Sequence, residues 1–191
     1  REIVPGELLT QYMRPMFNQS WSVFAPDPIN ADFHFDVRAV VATDAGEVTT
    51  EWVRATEVEQ SRAMYALFPP RSSNLATGVA SSLVRTWNNL NDESKAVVEL
   101  NYFKGTDWQQ RFNDDMSKNQ SSKANTLAYV DAERVATAYA TQVAKAVWGE
   151  SVVRVQYRAA RQNVVPFEER NNEQATRPPE RPVPTGWRGL V

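Results

Sequence analysis

Apolar and polar residues alternate along residues 32–41, where the odd-numbered positions are apolar and most even-numbered ones are polar. A period of two is typical of a β-strand with one buried face. Turn residues follow at 44–46 and the alternation resumes at 48–52, which predicts an antiparallel hairpin. The same alternation predicts a third strand at 152–160.

Between the second and third strands, apolar residues recur at steps of three and four, the spacing of amphipathic helices. One helix is predicted to begin with a capping box formed by Thr56 and Glu59. Another carries an apolar stripe of Leu75, Val79, Leu83, Trp87 and Leu90. A short one is expected to bury Trp108, Phe112 and Met116. The longest, at 124–148, is expected to turn its larger apolar residues inward: Leu127, Val130, Val135, Tyr139, Val143 and Val147.

These elements predict an α+β fold, in which several helices cover a small antiparallel sheet of about three strands. Residues 1–170 are expected to form one domain, which starts with an amphipathic helix and a tryptophan-containing segment within 1–28. Residues 171–191 differ in composition, because four prolines and little apolar bulk occur before residue 185. This composition predicts an extended proline-rich C-terminal arm.

The composition excludes several kinds of chemistry. With 191 residues, of which 42% are hydrophobic, the chain can bury a sizeable core. The absence of cysteine excludes disulfides, thiolate metal sites and thiol nucleophiles. The formal charge of -2 arises from 21 basic and 23 acidic residues that are mixed along the chain, so nucleic-acid binding is not expected.

His34 is the single histidine, so any mechanism that needs an imidazole base must use it. It lies between Asp32 and Asp36 in a D-x-H-x-D row, whose side chains could hold a divalent cation. A solvated polar sheet face explains the same three residues, and one strand rarely encloses a metal by itself. We therefore predict no metal or other cofactor. Asp32, His34 and Asp36 are the residues that would be the ligands if a metal bound here. The sequence also lacks a P-loop and a dinucleotide fingerprint.

The segment 17–28 reads FNQSWSVFAPDP. It resembles the marker F-x-Q-x-W-x-L/M-F-A-P-x-P of an uncharacterised family of membrane-anchored proteins from high-GC Gram-positive bacteria, with Val23 in place of Leu or Met. A similar W-x-x-F-A-P stretch occurs in membrane proteins related to vitamin K-dependent carboxylase. The resemblance implies a transmembrane helix shortly before Arg1 and an extracytoplasmic domain of unknown activity at the cell membrane. It supplies no catalytic residues.

Four residues of this segment are candidate binding residues. Trp21 and Phe24 are large apolar anchors, while Pro26 and Pro28 hold the chain extended. The tryptophan either packs on the core or lies at the lipid headgroup boundary, where aromatic rings are favoured.

Two further candidates lie in the arm. Pro179 and Pro182 have P-x-x-P spacing beside Arg177 and Arg181, which is suited to docking on an aromatic groove as a polyproline II segment. The alternative is a stiff segment that folds over its own domain.

The leading hypothesis is a non-enzymatic, membrane-tethered extracytoplasmic domain that binds or scaffolds a protein of the cell envelope. One alternative is an envelope enzyme that uses converging carboxylates together with His34. Another is a carrier of small apolar ligands, with a cavity lined by Trp87, Trp108 and Tyr139. The sequence does not indicate the oligomeric state.

Overall fold

The computed structural model describes residues 30–64, 66–67 and 71–191. The predicted helix and motif within 1–28 lie outside these residues. The described strands are β1 (Ala31–Thr43), β2 (Gly46–Thr49), β3 (Val53–Arg54), β4 (Val152–Asn163), β5 (Arg181–Val183) and β6 (Arg188–Gly189). The described helices are α1 (Ala55–Ala63), α2 (Leu75–Asn88), α3 (Asp92–Glu99), α4 (Trp108–Lys118) and α5 (Lys123–Trp148), with short 3-10 helices at Arg71–Asn74 and Phe167–Glu169.

The sheet is antiparallel and has the order β2-β1-β4-β5, with β3 beside β1 and β6 beside β4. The predicted hairpin of β1 with β2 and the predicted third strand, β4, are confirmed. The mixed fold of helices on an antiparallel sheet is confirmed as well. The expectation of about three strands is wrong, because the described part of the sheet has six. The missed strands are two or three residues long, too short to show an alternating pattern.

The C-terminal residues 181–189 lie along β4, on the side opposite β1. Val183 is buried, and the Thr185 hydroxyl donates a hydrogen bond to the carbonyl of Tyr157. Gly186 lies so close to the carbonyl oxygen of Leu100 that a Cβ atom would overlap it. This stretch of the arm is therefore extended and is part of the sheet.

The predicted capping box at the start of α1 is wrong, since no side chain caps this helix. The Thr56 hydroxyl accepts a hydrogen bond from the backbone N–H of Phe35 on β1 at 3.4 Å. The Glu59 carboxylate accepts one from the backbone N–H of Ala76 at 2.8 Å and one from the Tyr139 hydroxyl at 2.7 Å. Both residues thus join α1 to other elements instead of satisfying its own amides.

Helix α5 turns a different face toward the core from the one that was predicted. Its buried residues are small or polar: Thr126, Tyr129, Ala132, Glu133, Ala136, Thr137, Ala140, Thr141 and Ala144. Leu127 and Val135 are each 54% exposed and Val147 is 49% exposed, so the expectation that they face the core is wrong. The sheet already presents the stacked rings of Phe35 and Tyr157 to the helices. Because interiors are close-packed, only small side chains fit between these rings and the helix.

The other helices bury residues that the periodicity partly predicted. In α2 the buried side carries Ala76, Ala80, Leu83, Val84 and Thr86, while Leu75 at the start of the predicted stripe is 53% exposed. In α4 the predicted burial of Trp108, Phe112 and Met116 is confirmed.

Substitutions at two glycines test this packing, and they are expected to change the stability of the fold in opposite directions. Gly186→Ala is expected to destabilise the fold by about 1–3 kcal/mol, because the new methyl group overlaps the Leu100 carbonyl. Gly78→Ala, in the exposed interior of α2 with nothing near the new methyl group, is expected to stabilise it by about 0.5–1 kcal/mol. Urea denaturation measures both. Equal effects of the two substitutions would contradict the described close approach at Gly186.

Candidate functional site

Two grooves flank helix α5 on the outer surface of the helix layer. The larger, about 480 Å³ in volume, lies between α2 and α5. One end is lined by Leu75, Gly78, Val79 and Val135, and the groove continues past Ser82, Ala128 and Ala132. Arg85 and Asp131 are the charged side chains in its lining. Two of the exposed aliphatic residues, Leu75 and Val135, thus border one continuous depression.

The smaller groove, about 320 Å³, lies between α1 and α5 and is lined mainly by Val53, Val58, Val143 and Val147. Its floor is held by the Glu59 contacts, since one carboxylate links α1 to the start of α2 and to α5. Burial, followed by the hydrogen bond to this carboxylate, raises the pKa of Tyr139 above its ordinary value. The tyrosine is therefore neutral at physiological pH and carries the proton that it donates to Glu59.

The opposite, outward face of the sheet carries the D-x-H-x-D row. Asp36 is buried and bound by Arg54 and Arg158, with each nitrogen–oxygen distance 2.9 Å. Asp32 is bound by Arg177 at 2.7 Å. His34 Nε2 lies 3.9 Å from a Glu180 carboxylate oxygen. The acidic members of the row are thus paired with arginines, and within the described residues no three His, Asp or Glu side chains form a group suited to a metal.

Arginine and aromatic side chains stack on this same face. The Arg38 guanidinium carbon lies 4.6 Å from the ring centroid of Trp52 and 5.2 Å from that of Trp187. Cation–π contacts of this kind contribute about 0.5–1 kcal/mol each at exposed sites. Together they form an alternating stack of Arg158, Trp52, Arg38, Trp187, Arg154 and Phe103. The stack attaches Trp187 of the C-terminal residues, and Trp52 just before β3, to the face of the sheet.

A buried polar network lies between the sheet and the helices. Arg188 Nε donates to Glu133 Oε1 at 2.6 Å, and the Tyr129 hydroxyl donates to Glu133 Oε2 at 2.6 Å. The Arg188 guanidinium also donates to the carbonyls of Val98 and Leu100 at the end of α3, at 2.8 and 2.7 Å. Burial is the largest single effect and lowers the pKa of the Arg188 guanidinium, but Glu133, Tyr157 and Tyr129 together outweigh it and the pKa is raised. The pair joins α5, α3 and β6.

The sequence did not single out Glu133 or Arg188. The available signal was the recurrence of alanine at every fourth position from Ala132 to Ala144, which marks a closely packed helix face. Glu133 is adjacent to that face, where an acidic residue requires a buried partner.

The predicted binding prolines of the arm lie at the surface. Pro179 and Pro182 are both exposed, and Pro182 lies in β5, opposite Ala160 of β4. A proline has no amide hydrogen, which suits it to the edge of a sheet. Glu180 between them binds Arg54 at 3.0 Å. Docking of these prolines on a partner stays a prediction, and Trp21, Phe24, Pro26 and Pro28 lie outside the described residues.

The three aromatic residues expected to line one ligand cavity are separated. Tyr139 borders the α1–α5 groove, and Trp108 borders a cavity of about 50 Å³ beside Glu133. Trp87 lies under Lys95, whose ammonium nitrogen is 4.7 Å from the ring centroid.

Comparisons with known proteins place the chain in a wider group. A family model described as a family of unknown function, DUF5819, matches residues 1–190. No curated protein and no solved structure matches the chain. Among the helices that the structure describes, none combines the length and apolar character needed to cross a bilayer.

Removal of one member of the buried ion pair is expected to destabilise the fold. Arg188→Met leaves the Glu133 carboxylate buried without its cation and should lower the free energy of unfolding by about 3–5 kcal/mol. The double substitution Arg188→Met with Glu133→Leu should cost less than Arg188→Met alone, since no charge is then stranded. Urea denaturation of the variants measures the difference. If Arg188→Met were as stable as the unchanged protein, the ion pair would not be needed for the stability of the fold.

The free energy of unfolding is also expected to fall at alkaline pH. Burial, with the hydrogen bond to Asp115, raises the pKa of Tyr102 to about 12. An unfolded tyrosine loses its proton near pH 10, about two units earlier. The contribution of Tyr102 to the free energy of unfolding is therefore fully present below pH 10, and it is lost as the pH rises from 10 through 12. The substitution Tyr102→Phe should therefore make the free energy of unfolding depend less steeply on pH between pH 10 and 12. An unchanged slope would show that Tyr102 does not cause the loss of stability.

Proposed function

The chain belongs to this family of unknown function, and we propose that it is a non-enzymatic module of the cell envelope that binds or scaffolds another protein. The binding surface is the outer face of the helix layer formed by α1, α2 and α5. The module is held on the extracytoplasmic face of the cell membrane by a segment that precedes Arg1. The orientation of α5 is the observation that carries the binding function.

Exposed aliphatic residues are ordinary when they are scattered, but a contiguous apolar surface marks an interaction site. Here Leu75 and Val135 border one groove, while Val58 and Val147 border the other, on the two sides of one helix. Each of the four is about half exposed. Full burial of such a side chain is worth about 1.5–3 kcal/mol, and a bound protein would supply that burial.

The deeply buried acidic groups support a structural rather than a catalytic use. Glu133 is engaged by Arg188 and Tyr129, and Asp36 by two arginines. Carboxylates held by these partners join elements of the fold to one another. The proposed location has a separate basis, which is the resemblance of segment 17–28 to membrane-anchored proteins.

The location is tested with the full-length protein in intact cells of its source. A protease added outside the cells, after controlled opening of the cell wall, should digest the domain while a cytosolic marker survives. Survival of the domain until the membrane is lysed would overturn the proposed location.

The binding surface is tested in the same cells with a photo-crosslinking amino acid. Placed at Val135, which is 54% exposed, it should form a protein adduct of defined mass. Val48 on β2 is a matched control, because it is also a valine and is 53% exposed but lies on the sheet. Adducts of equal yield at both positions, or none at Val135, would contradict binding through the helix layer.

A further inference from the structure

One guanidinium in the stack of arginine and aromatic side chains has no carboxylate partner. In the same stack, Arg158 binds Asp36 at 2.9 Å and Arg154 binds Glu47 at 2.7 Å. Within the part of the chain that the structure describes, no carboxylate forms an ion pair with Arg38. Asp36 lies two residues away on β1, but its two oxygens are bound by two other arginines. The centre of the stack therefore carries a positive charge that the described residues do not compensate.

The free edge of this guanidinium is held in one direction. Nε and Nη2 of Arg38 both donate to Oε1 of Gln156, at 2.9 and 2.6 Å. The Gln156 amide is itself held, because its nitrogen donates to the carbonyl of Thr185 at 2.6 Å. Nη1 of Arg38 donates to no described residue, and Nη2 has a second hydrogen on the same side. These two parallel N–H groups form the fork that a carboxylate or a phosphate accepts bidentately.

Two tryptophan rings cover the flat faces of the same guanidinium. Its carbon lies 4.6 Å from the centroid of Trp52 and 5.2 Å from that of Trp187, and the side chain stays partly exposed. An arginine held in this way loses little conformational entropy when it binds a ligand. Attachment of the C-terminal residues explains the rings, but an arginine with a compensated charge would serve that purpose equally well.

We propose that Arg38 binds a singly charged oxyanion, which is the group shared by a carboxylate and a phosphate diester. The oxyanion accepts two parallel hydrogen bonds, one from Nη1 and one from Nη2, at the edge of the stack. The site lies on the outward face of the sheet and is therefore independent of the binding surface proposed for the helix layer.

The test uses the purified full chain and two probes, sodium acetate and sodium dimethyl phosphate, with sodium chloride keeping the ionic strength constant. NMR follows the side-chain N–H resonances of Arg38, Trp52 and Trp187. Two charge-assisted hydrogen bonds should give a saturable shift, with a dissociation constant of about 10 mM or lower for at least one probe. The tighter probe identifies the source of the oxyanion: acetate indicates a carboxylate ligand, and dimethyl phosphate indicates a phosphate ester.

A matched pair of substitutions separates the fork from the charge. Arg38→Lys keeps a cation between the rings but removes the planar fork, so it should weaken binding of the tighter probe at least about tenfold. The indole resonances of Trp52 and Trp187 report whether the stack persists in this variant. Arg134→Lys is the control, because Arg134 is an exposed arginine of α5 beside Asp131, and it should leave the dissociation constant unchanged.

The proposal is overturned if neither probe gives a saturable shift with the unchanged protein, which requires no variant to fold. It is also overturned if Arg38→Lys binds the probe as tightly as Arg134→Lys does. Both outcomes leave the proposed function standing, since the crosslink at Val135 tests the helix layer separately.

Discussion

The ion pair of Arg188 with Glu133 is the contact on which the remaining structure depends. Both side chains are almost completely buried, at 0% and 2% exposure, so each would be strongly unfavourable without the other. The same guanidinium binds the carbonyls that end α3, which a helix leaves unsatisfied. One residue near the C-terminus thus joins the last strand, the longest helix and a second helix end in a single hydrogen-bonded network.

This network also determines which side of α5 faces inward. Glu133 must point at Arg188, and Thr137 one turn later contacts the hydroxyl of Tyr157 on β4 at 2.8 Å. Residues three and four apart share a helix face, so the alanines in line with these two are buried as well. Val135 and Leu127 then face outward. The apolar surface proposed for binding is therefore a geometric consequence of a buried polar network.

The outward face of the sheet is organised by a different constraint. Several arginines project from neighbouring strands, and their mutual repulsion is relieved by Asp36 and by interleaved aromatic rings. Trp187 takes part in this stack and lies next to Arg188 in the chain, so the C-terminal residues are held on both faces of β4. This explains how a segment with several prolines and few apolar residues remains attached to the domain.

The sequence by itself determined the central strands and the positions of the helices, because alternation at β1 and β4 and spacing of three to four residues are local properties. It also determined the burial of Trp108, Phe112 and Met116, because their spacing along the helix places all three on one apolar face. Only the tertiary structure decided the six-strand sheet, since β5 and β6 exist through pairing with β4 and not through a pattern of their own. It alone decided the rotation of α5 as well. Hydrophobicity favoured burial of Leu127 and Val135, but a buried charge and two stacked rings required the small and polar side to face inward.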